Sequence, residues 1–197
     1  MNNGPVAEYE PALQTKLEPD LKARVKVFDA LTAQFECQRP CPLIAVYQIP
    51  DVDWEHLRLA AAVYMSRCLP GNPLIQDEEE LLGEFHARQE EILNVTPNGM
   101  IVPKRHTVLE YNALARAFAR IIDGLGIGEQ ITSWHIPLNL RVKFNKVNEA
   151  NMKRHHPTEH IHSDSWAGES ADSVTTMIPI FGDIARNNVT YYDPPAH

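Results

Sequence analysis

The sequence predicts an α+β protein in which helices pack on the outside of a β-barrel or jelly roll. Three observations lead there. Apolar residues recur at helical spacing through the first two-thirds of the chain. Alternating and β-branched runs replace them after Gln130. Helices first and strands afterwards is the order of a sheet with helices on one side. At 197 residues, with 44% apolar and 22% charged content, the chain suits one domain with its own core. The expected division is a mainly helical part over 1–128 and an incomplete β core over 129–197.

Residues 1–20 mix proline, asparagine, glycine and charge and read as a loose arm. The spacing of Val25, Phe28, Leu31 and Phe35 predicts a short helix over 21–35. "CQRPCP" over 37–42 reads as a proline-rich turn, and "LIAVYQI" over 43–49 as a strand. A helix follows, with Asp53 as its cap and Pro70-Gly71 as its stop. Leu57, Ala60, Ala61, Tyr64, Met65 and Cys68 form its core-facing stripe.

A second helix is expected over 77–93, its "DEEE" start placing negative charge where the helix dipole favours it. Pro97-Asn98-Gly99 marks a turn and residues 100–102 a short strand. Thr107 with Glu110 forms a capping box for a third helix, whose apolar face is Leu114, Phe118, Ile121, Ile122 and Leu125. Gly124 and Gly126 end it. From Leu138 to Phe144 apolar residues alternate with Asn139, Arg141 and Lys143, the pattern of a half-buried strand. Two more strands are expected over 173–181 and 189–193. Turns at Gly182-Asp183 and Asn187-Asn188 separate them.

The chemistry-bearing stretch is His160-Ile161-His162-Ser163-Asp164-Ser165-Trp166-Ala167-Gly168-Glu169. In extended backbone His160, His162 and Asp164 share a face. An imidazole and a carboxylate on one face can hold a divalent ion. Two histidines and one carboxylate form the facial triad of non-haem Fe(II) oxygenases. About one His-x-Asp/Glu match arises by chance in such a composition, so the setting between two strand-like runs matters more than the spacing.

The run "TEHIHSDSWAGESADSVTTMIPIFGD", residues 158–183, resembles the metal-binding core of the 2-oxoglutarate/Fe(II)-dependent dioxygenases. It is nearest in character to the phytanoyl-CoA hydroxylase-like branch. The resemblance spans residues 130–193 and leaves out the helical half. It implies a double-stranded β-helix, with Fe(II) and 2-oxoglutarate as cofactors and a small organic molecule as substrate. It assigns His162 and Asp164 to the metal. A retained carboxylate at 164 implies hydroxylation rather than halogenation. The implied third ligand is a histidine several strands downstream, followed by an arginine or lysine for the distal carboxylate of 2-oxoglutarate. Neither stands in the implied place before His197, so the expectation is a fragment of a longer frame or a degenerate form.

Other residues around the motif have competing readings. Arg141 and Lys143 either hold a carboxylate from inside a barrel or face water. Of Thr175 and Thr176, one is expected to face inward towards the co-substrate, and Trp166 to wall the pocket. His155 and His156 lie in a polar loop, as a solvated stretch or a cover. His160, His162 and Glu169 would instead be the donors of a cupin-type enzyme. A non-catalytic barrel module is the third reading.

The net charge of −8 speaks against nucleic acid and anionic membranes as partners. No apolar run approaches a membrane span and the start lacks signal-peptide character, so a cytoplasmic protein with reduced cysteines is expected. Unpaired edges of an incomplete barrel would favour self-association.

Overall fold

A computed structural model describes residues 11–92, 94–96, 98–133, 138–144, 173–186 and 189–191. It combines four helices with a two-stranded antiparallel sheet, which places it in the α+β class. The described residues form no barrel, jelly roll or double-stranded β-helix. The chain divides into two compact units, Met1–Gln48 with Leu125–Gln130 and Thr190–His197, and Ile49–Gly124 with Ile131–Val189.

In the first unit α1 (Pro11–Thr32) begins ten residues earlier than the sequence predicts and stops three earlier. Pro11 opens it where a missing N–H costs nothing. The Thr32 hydroxyl donates to the Phe28 carbonyl at its end (2.8 Å). A hairpin of β1 (Gln38–Cys41) and β2 (Ile44–Val46) follows, pairing Gln38 with Val46 and Cys41 with Ile44. The predicted turn at 37–42 is therefore mostly strand, and the reversal falls at Pro42-Leu43. In a two-stranded sheet both strands are edges, so Pro40 fits without a lost ladder bond.

Arg39 fastens the hairpin to α1. It donates to Thr32 Oγ1 (2.7 Å) and Asp29 Oδ1 (2.9 Å), caps the Pro42 carbonyl and lies over the Phe28 ring. Phe35 and Tyr47 meet edge to face, with centroids 5.6 Å apart.

The second unit is built on α2 (Asp51–Cys68), which packs against α4 (Val108–Gly124) and touches α3 (Glu78–Ala87). Leu57, Ala61, Tyr64, Met65 and Cys68 are buried as the stripe requires, and Ala60 is half-buried. Ala62 and Ser66 are buried too, because the loop after α2 covers a second side of the helix. There Ser66 Oγ accepts from the Ile75 N–H (3.2 Å) and lies 2.8 Å from the Ile75 carbonyl. Asp53 does not cap α2. Pro50 holds that position, and Asp53 in the first turn accepts from Arg120 of α4 (3.0 Å).

Asp77 does cap α3, accepting from the Glu80 N–H (2.9 Å). That helix ends at Ala87, short of the predicted 93. Arg88 leaves helical geometry and reaches the Pro70 carbonyl (2.8 Å) instead. The predicted capping box also fails to close. Thr107 Oγ1 accepts from the Lys104 N–H (3.0 Å), and Glu110 pairs with Arg67 of α2 (3.3 Å). The apolar face of α4 is Tyr111, Leu114, Ala117, Ile121 and Ile122, with Phe118 half-buried.

Beyond the helices, short extended pieces exchange backbone bonds. Thr96 N–H donates to Met100 O, Ile101 N–H to Leu140 O, and Val142 N–H to Gly99 O (2.8–2.9 Å). Gly99 turns with φ +83°, and a Cβ there would lie 2.2 Å from the Val142 carbonyl oxygen, so only glycine fits. Leu138, Leu140, Val142 and Phe144 are half-buried while Asn139, Arg141 and Lys143 are exposed, the predicted alternation. The run 173–180 is in no strand, against expectation, and residues 173–177 are exposed on both faces. Its β-branched composition is therefore not matched by a buried face there. Residues 189–191 are likewise exposed and outside any strand, whereas the turn at Gly182-Asp183 is present.

Candidate functional site

The described residues reach the motif from both sides. Residues 138–144 run towards it and residues 173–182 run away from it. Both flanking segments are tied to the helices of the second unit. On the incoming side Tyr64 and Tyr111 pack edge to face (5.6 Å) between α2 and α4. The Tyr64 hydroxyl donates to the Ile101 carbonyl (3.2 Å), and the Tyr111 hydroxyl accepts from the Leu138 N–H. The two phenols thus hold both members of the 99–102/138–142 pairing. Burial pushes both phenols above their ordinary range, with Cys68 adding to Tyr64 and the Leu138 bond opposing it at Tyr111. The raised Tyr64 phenol keeps the proton that its bond to Ile101 requires.

On the outgoing side Ile178, Ile180 and Phe181 are half-buried. Phe181 lies against Arg58 of α2, whose guanidinium is 5.4 Å from the ring centroid. Glu78 of α3 pairs with the same guanidinium and takes the Gly182 N–H at 3.5 Å.

Of the residues singled out from the sequence, His162, Asp164 and Trp166 lie outside the described residues, as do His155, His156, His160, Glu169 and His197. Arg141 and Lys143 are exposed on the polar face of their segment. Thr175 and Thr176 are both exposed, so neither has the inward position expected for one of them. The chain matches no family model, no curated protein and no solved structure.

Among the described residues no group of three or more histidine, cysteine or acidic side chains is placed to hold a metal. His86 is exposed, and Glu79 and Glu80 are solvated residues of the first turn of α3. All three cysteines are free thiols. Cys68 is buried, and its thiol is pushed up to about 11 chiefly by that burial, which makes it a neutral packing group.

Sequence reasoning overlooked Arg58, Tyr64 as a hydrogen-bond donor, and Tyr111. Trp54 and Arg58, four apart on a predicted helix, were the one local signal. Their partners at Glu78, Phe181, Ile101 and Leu138 are remote in sequence and no periodicity announces them.

Proposed function

We propose that the chain is a metal-dependent oxygenase of the 2-oxoglutarate/Fe(II) type, or part of one, acting on a small organic molecule. The observation that carries this reading is His162-Ser163-Asp164, set within a run that resembles the metal core of that superfamily. The donor chemistry fits the ion: an imidazole nitrogen and a hard carboxylate oxygen suit Fe(II), with open positions left for co-substrate. The double-stranded β-helix implied by the resemblance would be formed by the stretch that carries the motif. Bound iron with 2-oxoglutarate would supply the oxidising chemistry, and the protein would orient the substrate and exclude water. His162 and Asp164 would hold the ion. Arg141, with its forked guanidinium, is the better of the two nearby cations for a carboxylate.

The test is a metal titration of the full chain with Mn(II) as a redox-silent substitute for Fe(II). Stoichiometric binding that is lost in both His162→Ala and Asp164→Ala is expected. Equal binding by the parent and by His162→Ala would defeat the assignment. Retention of binding in Glu169→Ala separates this reading from the cupin-type one.

A second reading is favoured by the exposure of Arg141, Lys143, Thr175 and Thr176, which puts the co-substrate candidates on the surface. On that reading the chain is a non-catalytic binding or assembly module. Oxygen consumption that depends on 2-oxoglutarate in the purified chain would exclude it. Exposed extended segments would then serve as edges for a second copy, which sedimentation at rising concentration would detect. Among the described residues no helix is long and apolar enough to cross a membrane.

A further inference from the structure

We propose that Asn98 is a self-modification site: an Asn-Gly pair prone to deamidation, kept intact by the Thr96 hydroxyl and by the backbone bonds of Gly99, and opened to the reaction when the turn opens. This inference is independent of the metal reading.

Asparagine followed by glycine is where this reaction meets least hindrance, because no Cβ shields the attacking nitrogen. The Gly99 amide nitrogen gives up its proton and bonds to Asn98 Cγ. A five-membered imide forms, and the side-chain nitrogen leaves as ammonia. Water then opens the imide at one carbonyl or the other, giving aspartate or isoaspartate. Amide and water become carboxylate and ammonium, with no change of oxidation state.

The closed turn holds both reacting groups. The Gly99 N–H donates to Thr96 O (2.8 Å), so the nucleophile is engaged. Gly99 is buried, and its carbonyl takes the Val142 N–H (2.8 Å). A Cβ on Gly99 would stand 2.2 Å from Val142 O, so its backbone has no room to swing on that side. The electrophile is tied as well. Thr96 Oγ1 donates to Asn98 Oδ1. The same hydroxyl accepts from the Met100 N–H (3.0 Å), which fixes its place. Its other near acceptor, Met100 O, is farther at 3.3 Å and already takes the Thr96 N–H (2.8 Å). The Asn98 carboxamide is therefore bound to Thr96 rather than free to close on Gly99.

The isoaspartate product would not restore the turn. It adds one carbon to the backbone between residues 98 and 99, where Gly99 must meet both Thr96 and Val142. Aspartate leaves the backbone unchanged and offers Thr96 an acceptor in the same place. Isoaspartate at 98 is thus a one-way record of opening in the pairing that joins 99–102 to 138–142.

The experiment incubates the full chain in mildly alkaline buffer and maps deamidation and isoaspartate at residue 98 by mass. Mapping separates it from the chain's other Asn-Gly pair, Asn3-Gly4. A peptide of residues 94–102 sets the unguarded rate. The parent should convert at least about tenfold more slowly than the peptide, and match it in concentrated urea. Thr96→Ala should convert about fivefold faster than the parent, as befits the loss of one hydrogen bond, and Thr96→Ser should stay near the parent. Hydrogen exchange at Leu57, Tyr64 and Met65 should be the same in all three. Val142 should exchange faster in the isoaspartate fraction and not in Asn98→Asp.

A peptide that does not convert would overturn the site. A folded parent that converts as fast as the peptide would overturn the guard, and that comparison decides the matter even where Thr96→Ala does not fold. A folded Thr96→Ala that converts at the parent's rate would overturn the part given to the hydroxyl. A parent that stays intact in urea would overturn the link to opening.

Discussion

The α2–α4 core and the two segments flanking the motif are held by different physics. Between the helices, Leu57, Tyr64, Met65, Leu114, Ile121 and Ile122 are buried side by side, and the contact is non-directional and redundant. The segments at 138–144 and 173–182 have half-buried or exposed side chains. Directional bonds to Tyr111, Gly99 and Glu78, with the Phe181 ring against the Arg58 guanidinium, help to fix their paths. Redundant burial tolerates the loss of a polar group and is damaged by a void. Directional anchoring behaves the other way round.

The largest effect is therefore expected from a void. Phe85→Ala, at a ring 1% exposed on α3, should cost about 3–5 kcal/mol in urea unfolding. A loss below 1 kcal/mol would mean that the core is looser than its burial implies. Next comes the corner where a glycine is required. Gly99→Ala combines positive φ with a collision on Val142 O and should cost about 3 kcal/mol. Exchange at the Val142 amide should rise with it.

Alkaline titration sharpens the contrast at a third level. The Cys68 thiol lies at about 11 in the folded chain, against 9.0 ordinarily. Because the folded value is raised, the stabilisation is complete below pH 9 and is lost as pH climbs towards 11. About 2–3 kcal/mol should disappear over that window, and the loss should be smaller in Cys68→Ala. Tyr64 titrates in the same direction and leaves a residual slope. The smallest effect belongs to the exposed flank: Thr176→Ala should change stability by no more than about 0.5 kcal/mol.

What could be read from the sequence follows the same division. The stripe from Leu57 to Cys68, the acidic first turn of α3 and the alternation from Leu138 to Phe144 all appear in the structure, because short-range pattern alone determines them. The errors arise where a distant partner outcompetes a local one. Glu110 leaves the capping box for Arg67, Asp53 leaves the cap for Arg120, and Arg88 ends α3 early by reaching Pro70. At Gln38–Cys41 the prolines suggested a turn, but a two-stranded sheet has no interior strand for Pro40 to disrupt. The run at 173–177 has the composition of a strand without a buried face, so composition misled there. The candidate metal pair was legible only as a motif, since His162 and Asp164 fall outside the described residues.

The three thiols offer a handle on the two units. Cys37 and Cys41 are half-exposed on and beside the hairpin of the first unit, while Cys68 is sealed within the second with its proton held tightly. A maleimide dye added near neutral pH should therefore mark the first unit and leave the second dark. The molecule thus comes with a built-in colour code: a signal from the dye follows the hairpin and α1, and reaction at Cys68 becomes a stopwatch for the opening of the α2–α4 core.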